Sequence, residues 1–361
     1  MEPALAELVE RVRKARAEGR RLAIRGGGTK AFYGEAAQGE PLDVGALAGI
    51  GAYAPSELVV SVRAGTPLDA LEAALAERGQ CLPFEPPRFA PGGTVGGMVA
   101  AGLAGPARAA AGGVRDYLLG ATMISGRGEL LAFGGQVMKN VAGYDIARVL
   151  AGSLGVLGVI CEVSLKVLPL PAAQATLRFE LDQAAALRRV NEWGGRPLPL
   201  NASAWWEGML VVRLAGAAAA VQAARAQLGG EAIEPMLAAG FWQGLRDHRD
   251  EFFVGAAKAV QGGAGLWRLA LPCTAPPLDL PGEQLVEWGG AQRWLCTSAP
   301  AALLRESAAR AGGHATLFRG RDKSCGVFTP LAPAAARIQR RVVEAFDPDR
   351  VFDRSRLYPG L

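Results

Sequence analysis

Apolar positions recur at helical spacing over residues 2–18, where Leu5, Leu8, Val9 and Val12 share a face and Gly19 supplies the stop. Residues 21–25 alternate as a strand does and run into Gly26-Gly27-Gly28-Thr29-Lys30. The β-branched run 58–64 predicts a second strand, closed by Gly65. Thr66-Pro67-Leu68-Asp69 then offers a capping hydroxyl, a proline at the first helical position and an acid in the first turn. Leu68, Leu71, Ala74 and Leu75 continue that helix to Gly79. Further on, the pattern predicts a hairpin with strands near 118–124 and 129–133 around Gly126-Arg127-Gly128. A short helix over 145–151 follows, then a long buried strand over 156–168 that ends at Pro169-Leu170-Pro171.

That double proline marks a boundary. Residues 172–315 alternate short strands with alanine-rich helices and carry Trp193, Trp205, Trp206, Trp242, Trp267, Trp288 and Trp294. From Arg319 the character changes to a basic loop, a helix over 333–346 and a tail beginning Phe346-Asp347-Pro348. The expected class is α+β, with units at 1–171 and 172–318 and a segment 319–361 that returns to the first.

Composition narrows the function. A chain of 361 residues, half of them hydrophobic and a fifth charged, is globular and long enough for two or three folded units. The net charge of +5 is modest, and the basic run from Arg11 to Arg21 reads as the solvated face of an amphipathic helix, with an anionic membrane or nucleic acid as the alternative partner. Two histidines and five scattered cysteines, with no C-x-x-C pair, leave zinc ribbons, iron–sulfur clusters and c-type haem without ligands, so no metal is expected. Unpaired cysteines, an acidic start and no apolar stretch of membrane-spanning length predict a cytoplasmic, soluble chain.

Glycine is the outlier, with 48 residues against an ordinary share of about 7%. Clusters at 26–28, 92–97 and 152–158 lie at element ends, where a backbone without Cβ atoms can bring many N–H donors to a diphosphate. Tight turns alone account for one such loop. Two that also carry Thr29, Lys30 and Thr94 point to an extended phosphate-bearing cofactor. Gly26-x-Gly28-x-x-Ala31 fits the Rossmann fingerprint literally, yet no helix is expected after it, and the P-loop pattern is absent.

The motifs Arg25-Gly26-Gly27-Gly28-Thr29-Lys30, Pro91-Gly92-Gly93-Thr94-Val95-Gly96-Gly97 and Gly112-Gly113-Val114-Arg115-Asp116 resemble the two-subdomain FAD-binding domain of the vanillyl-alcohol oxidase/para-cresol methylhydroxylase superfamily. The runs 137–145 and 152–160, with the tail 346–359, are similar to the family of smaller FAD-binding subunits of bacterial glycolate oxidases. The resemblance implies that residues 25–30, Pro91, Gly92, Gly93, Thr94, Gly96 and Gly97 line the pyrophosphate and the flavin edge. Gly112, Gly113 and Asp116 would continue that wall, and Gly158, Val159 and Ile160 would offer backbone groups to the cofactor. It also implies an α+β cap and, because Thr29 stands where covalent members often have histidine, non-covalent FAD. The tail departs from the family's Asn-Pro-Gly-Arg at Asp353-Arg354-Ser355-Arg356, where Arg356 keeps the arginine position.

The implied function is a subunit of a multi-subunit glycolate (2-hydroxy-acid) oxidase or dehydrogenase. A larger flavoprotein subunit and an iron–sulfur subunit would be its partners, with membrane contact only peripheral, at the cytoplasmic face of the inner membrane. No catalytic base stands out. Arg319, Arg321, Lys323 and His314 are the candidates for a small hydroxy-acid anion, and Tyr144 beside Lys139 and Asn140 for the flavin face; a solvated basic loop and ordinary packing are the competing readings. Two alternatives stay open: a self-sufficient FAD oxidoreductase using Arg319, Arg321 and His314, and a flavin-free scaffold.

Overall fold

The computed structural model describes residues 2–135 and 145–360. Lys139, Asn140 and Tyr144 therefore lie outside the described residues. Two antiparallel sheets organise the rest. The first has five strands in the order Ile50–Ala54, Val59–Arg63, Val159–Lys166, Leu118–Ile124 and Leu130–Gly134. Its central strands are rich in β-branched residues and mostly buried on both faces, and the buried serines Ser61 and Ser164 are paired in register, with their Oγ atoms 2.8 Å apart. Helix Leu68–Ala76 buries Leu68, Leu71 and Leu75 against this sheet's core, and helix Val95–Ala101 buries Met98 and Val99 there.

The chain leaves that sheet at Lys166 and enters the second at Ala173. The second sheet has eight antiparallel strands, in the order Glu231–Ile233, Ala173–Glu180, Met209–Gly216, Leu200–Trp206, Glu283–Glu287, Gln292–Thr297, Gly265–Ala270 and His314–Arg319. Tyr33, Ala101 and Leu103 share a core cluster with Trp242, Phe252, Phe253, Trp294 and Phe318, so the two sheet units meet through a continuous apolar junction.

A third layer closes the far side of the first unit. Helix Pro3–Ala17 places Leu8, Val9, Val12 and Ala15 against Leu22, Leu42, Val159 and Phe352. The parallel pair Leu22–Arg25 and Glu40–Asp43 is extended by the tail: Leu22 N–H donates to Val351 O at 2.7 Å, and Asp353 N–H donates to Leu22 O at 3.0 Å. Fully buried Asp347 holds the turn before that bridge, accepting from the N–H groups of Val351 and Phe352.

Three local expectations change. The Thr66 hydroxyl does not cap the helix after it; it exchanges hydrogen bonds with the Gly49 backbone, and Pro67 takes the cap position. The element expected over 145–151 is a single 3₁₀ turn, Ala147–Leu150. The long strand begins at Val159 and not at 156, because Leu154, Gly155 and Gly158 all take positive φ and keep the chain in turns.

The tail bridge yields a test. Phe352→Ala removes a fully buried ring from the third layer and should cost about 3–5 kcal/mol, read as a lowered urea midpoint of the first unfolding transition.

Candidate functional site

The first glycine cluster follows strand Leu22–Arg25 directly, and the second precedes helix Val95–Ala101. The fold presses them together. A Cβ on Gly27 would lie 1.5 Å from Gly92 O, and one on Gly26 would lie 2.3 Å from Thr94 Oγ1. Neither position tolerates a side chain at this separation. Gly28 and Gly92 add positive φ, at 71° and 81°.

The N–H groups of the expected wall fall into two sets. Among the described residues, none accepts from the N–H groups of Gly26, Gly27, Gly28, Thr29, Lys30, Gly92, Gly93 or Thr94. Those of the neighbouring glycines are engaged. Gly96 N–H donates to Ala64 O at 2.7 Å, and a Cβ there would lie 2.7 Å from Ala64 Cβ, so this glycine serves helix–strand packing and not a ligand. Gly97 N–H goes to the capping Thr94 Oγ1, Gly112 N–H to Arg108 O, and Gly113 N–H to Asp116 Oδ2 at 2.8 Å. Asp116 thereby caps the turn Val114–Tyr117. Val159 and Ile160 pair with Ile124 and Met123 on one side, while strand Val59–Arg63 stops opposite Glu162 and leaves their other edge without a strand.

Segment 31–35, which follows the first cluster, is held by two cations that the sequence pattern does not connect to it. Lys323 Nζ donates to Phe32 O at 2.7 Å and Gly34 O at 2.6 Å. Arg356 donates to Tyr33 O at 2.6 Å, to Ala31 O at 3.3 Å and to Glu35 O. Glu35 in turn accepts from Val327 N–H at 2.6 Å. With the carbonyls of 31–35 drawn towards the C-terminal segment, this stretch is fixed by long-range contacts, which explains how it can be ordered without being helical.

The basic candidates thus separate. Lys323 is a clamp and not an anion ligand. Arg319 lies flat on the Phe32 ring, its guanidinium 3.5 Å from the centroid, and burial pulls its pKa down to about 10. Arg321 is exposed and donates to Gln261 O. His314 opens the strand that Arg319 closes, five residues away, or about 17 Å at strand rise. Arg319 and His314 therefore do not share a site.

Rings fill the junction that Arg319 borders. His248 ends helix Pro235–Asp247 in the left-handed conformation and stacks on Phe253 at 3.6 Å, with Phe89 and Trp294 edge-on and Phe318 tilted against it. Its Nδ1 is buried without a hydrogen-bond partner among the described residues, and desolvation, reinforced by Arg319 and Arg268, holds the imidazole neutral well below its usual range. On the same sheet, burial pushes the Glu287 carboxyl up to about 7 against donation from Trp294 and Gln292.

Comparison with known proteins decides the family. Residues 4–134 match the FAD binding domain family. Glycolate oxidase subunit GlcE of Escherichia coli strain K12 is 45% identical over 354 residues, 98% of this chain and 97% of the relative. The chain belongs to the GlcE family of glycolate oxidase subunits. Glycolate oxidase subunit GlcD of Bacillus subtilis strain 168 is 36% identical over 84 residues, 23% of this chain and 18% of its own. A D-lactate dehydrogenase of Anaerostipes hadrus is 34% identical over 126 residues, 35% of this chain and 26% of its own. An alkyldihydroxyacetonephosphate synthase structure superposes with a TM-score of 0.65 at 13% identity, covering 96% of this chain and 74% of that one. The GlcE-family chain has the vanillyl-alcohol oxidase/para-cresol methylhydroxylase-type fold, and its cofactor is FAD. The open donors of 26–30 and 92–94 fit that cofactor, since a pyrophosphate presents acceptors only and a Cβ at Gly27 would close the approach.

The two buried titrating groups oppose each other in their effect on stability. The native GlcE-family chain refuses the proton that unfolded His248 takes near 6.5, so stability falls as pH drops below about 6.5. Native Glu287 keeps a proton that the unfolded carboxyl loses near 4.5, so its contribution fades as pH rises from 4.5 to about 7. In thermal unfolding across that range, His248→Phe should flatten the acid-side loss and Glu287→Gln the loss towards neutrality; an unchanged profile in either variant contradicts the assignment.

Proposed function

We propose that this chain is the FAD-carrying subunit of a multi-subunit oxidase or dehydrogenase of glycolate or a related small 2-hydroxy acid. Residues 1–171 with 319–361 form the FAD-binding domain in this reading, and 172–318 the cap. The N–H groups of Gly26, Gly27, Gly28 and Thr29 on one side, and of Gly92, Gly93 and Thr94 on the other, hold the pyrophosphate. Asp116, Gly112 and Gly113 shape the neighbouring turn and leave the direct contact to those two loops. Bound FAD supplies two-electron oxidising chemistry. The observation that carries the reading is the set of open backbone donors at two abutting loops, in a chain that matches a glycolate oxidase subunit along almost its whole length.

The cofactor is held without a covalent bond in this reading, since Thr29 stands where covalent members of the resembled superfamily often have histidine and both histidines lie beyond residue 247. Electrons leave through a partner: the cysteines at 81, 161, 273, 296 and 325 are scattered over the chain and form no ligand set for a cluster. A larger flavoprotein subunit and an iron–sulfur subunit are the proposed companions. Among the described residues no helix is long and apolar enough to cross a membrane. Contact with the cytoplasmic face of the inner membrane would be peripheral, through the complex.

Purified full-length chain should be yellow and release its FAD on acid precipitation. Gly27→Ala should lower flavin content by about tenfold or more, a loss of at least ~1.4 kcal/mol in binding, while far-UV circular dichroism is unchanged. A colourless chain that refuses added FAD, alone and with its companions, overturns the reading. Co-purification from the native host, with flavin and iron counted on the assembly, tests the partners.

A further inference from the structure

The helix Pro333–Phe346 carries apolar residues on two sides, and the fold covers one of them. Val343 is fully buried, and Val342 and Phe346 pack half-buried against the core of the first sheet. The other side faces out. Ala334, Ile338 and Ala345 follow one another at spacings of four and seven residues and so fall on one line along the helix. All three are exposed, and Ile338 keeps 65% of its surface open.

Charge frames that line. Arg337, Arg340 and Arg341 are exposed, and among the described residues none of their side chains has a hydrogen-bond or ion-pair partner. The arginines of helix Pro3–Ala17 behave differently: Arg11 meets Glu40, Arg13 meets Glu10 and Arg16 meets Asp349. Helix Pro333–Phe346 sets three arginines against a single acid, Glu344. The face continues onto the first sheet. Phe346 meets Phe133 edge-on at 6.0 Å, and strand Leu130–Gly134 is the outermost of its sheet, with Leu130 exposed.

An apolar line between unmatched cations suits some partners better than others. A second copy would set these arginines against their own kind, which is costly at close range. A lipid surface calls for deep apolar side chains such as Trp, Phe and Leu, and one isoleucine among alanines has little to insert. An acidic protein face answers both features, since carboxylates pair with guanidinium groups and an apolar socket takes the isoleucine. The chain belongs to a family of oxidase subunits, so a companion subunit is the natural source of that face.

We propose that the outer side of helix Pro333–Phe346 anchors this chain to an acidic face of a companion subunit, with Ile338 in an apolar socket and Arg337, Arg340 and Arg341 paired to carboxylates. This docking surface rests on the multi-subunit reading. The helix is about 21 Å long, so it supplies the centre of a contact that spans roughly 800 Å² per partner in a standard interface, and the edge strand beside it supplies more.

The test is capture of the larger flavoprotein subunit and the iron–sulfur subunit, each identified by mass, on tagged full-length chain co-expressed with them. Wild type should capture at about 0.05 M salt and lose most of its companion by about 0.5 M, because ion pairs at an interface rim are screened. Reversing all three charges, with Arg337→Glu, Arg340→Glu and Arg341→Glu together, should lower capture about tenfold or more, and Ile338→Asp alone should do the same. Lysine at the three arginine positions should lower it less than the reversal does. All these variants should keep the flavin content and thermal midpoint of wild type, because the replaced side chains are exposed. Met236→Asp with Leu237→Asp, at the exposed start of cap helix Pro235–Asp247, should leave capture unchanged. The proposal is overturned if the reversal and Ile338→Asp variants capture as wild type does, if capture is indifferent to salt, or if only the cap variant loses it. It is also overturned if wild type alone self-associates in sedimentation, or binds phosphatidylglycerol vesicles, and Ile338→Asp abolishes that while capture persists. A wild-type chain that captures neither companion at low salt sinks the multi-subunit reading and this surface with it; capture that ignores the helix variants sinks this surface alone.

Discussion

A backbone can press flat against another only where the side chain that would stand between them is missing, and the contact of Gly27 with Gly92 O is such a place. The 1.5 Å that would separate a Cβ on Gly27 from Gly92 O leaves no room for relaxation short of moving a loop. The second loop is itself anchored: Leu68 N–H donates to Gly93 O, Val95 N–H to Thr66 O and Gly96 N–H to Ala64 O. These bonds tie it to the end of the central strand Val59–Arg63 and to the helix that follows. Engaging those donors is what positions the open ones. The same chain thus uses adjacent glycines for opposite purposes, packing at Gly96 and ligand approach at Gly92 and Gly93.

The C-terminal segment determines whether the first loop can keep its conformation. Val351 and Asp353 bracket strand Leu22–Arg25 from one side, while Lys323 and Arg356 collect the carbonyls of Phe32, Gly34, Ala31, Tyr33 and Glu35. A charged donor to a carbonyl is stronger than a neutral one, and five carbonyls bound by two cationic side chains restrain this non-helical stretch. The loop's geometry is therefore a property of residues some 290 to 325 positions away.

This explains what could be read from the sequence and what could not. Strands 22–25, 59–63 and 118–124, the hairpin after the last, and helices 3–17, 68–76 and 333–346 follow from local periodicity and stop signals, because each buries one face set by its own residues. The glycine clusters were legible as donor-rich backbone for the same reason. Sequence could not say which donors would be engaged, since Gly96 differs from Gly93 only in what the fold places against it, Ala64 in one case and Thr29 in the other. Nor could it see the clamp: Lys323 sits in a basic run that looks like a solvated anion site until Phe32 O and Gly34 O are brought to it. Thr66 shows a smaller failure of the same kind, because its hydroxyl had a better partner in Gly49 than in its own helix.

The contrast between Arg319 and Lys30 shows how a cation's chemistry sorts its role. Both lie near Phe89, at 5.3 Å and 5.8 Å from its ring, and both are desolvated. A guanidinium is planar and weakly hydrated, so Arg319 can lie flat on Phe32 and stay charged, its pKa still about 10. An ammonium is compact and strongly hydrated, and an aromatic face 5.8 Å away replaces little of the water it loses. Lys30 is accordingly brought to about 8, within reach of ordinary conditions. Exchanging the two residue types would leave both charges in place and change both environments: a lysine at 319 could not cover the Phe32 face as the guanidinium does, and an arginine at 30 would stay protonated where the lysine does not. The packing of the junction depends on the first of these properties, since Arg319 keeps its charge while covering Phe32 between the two sheet units.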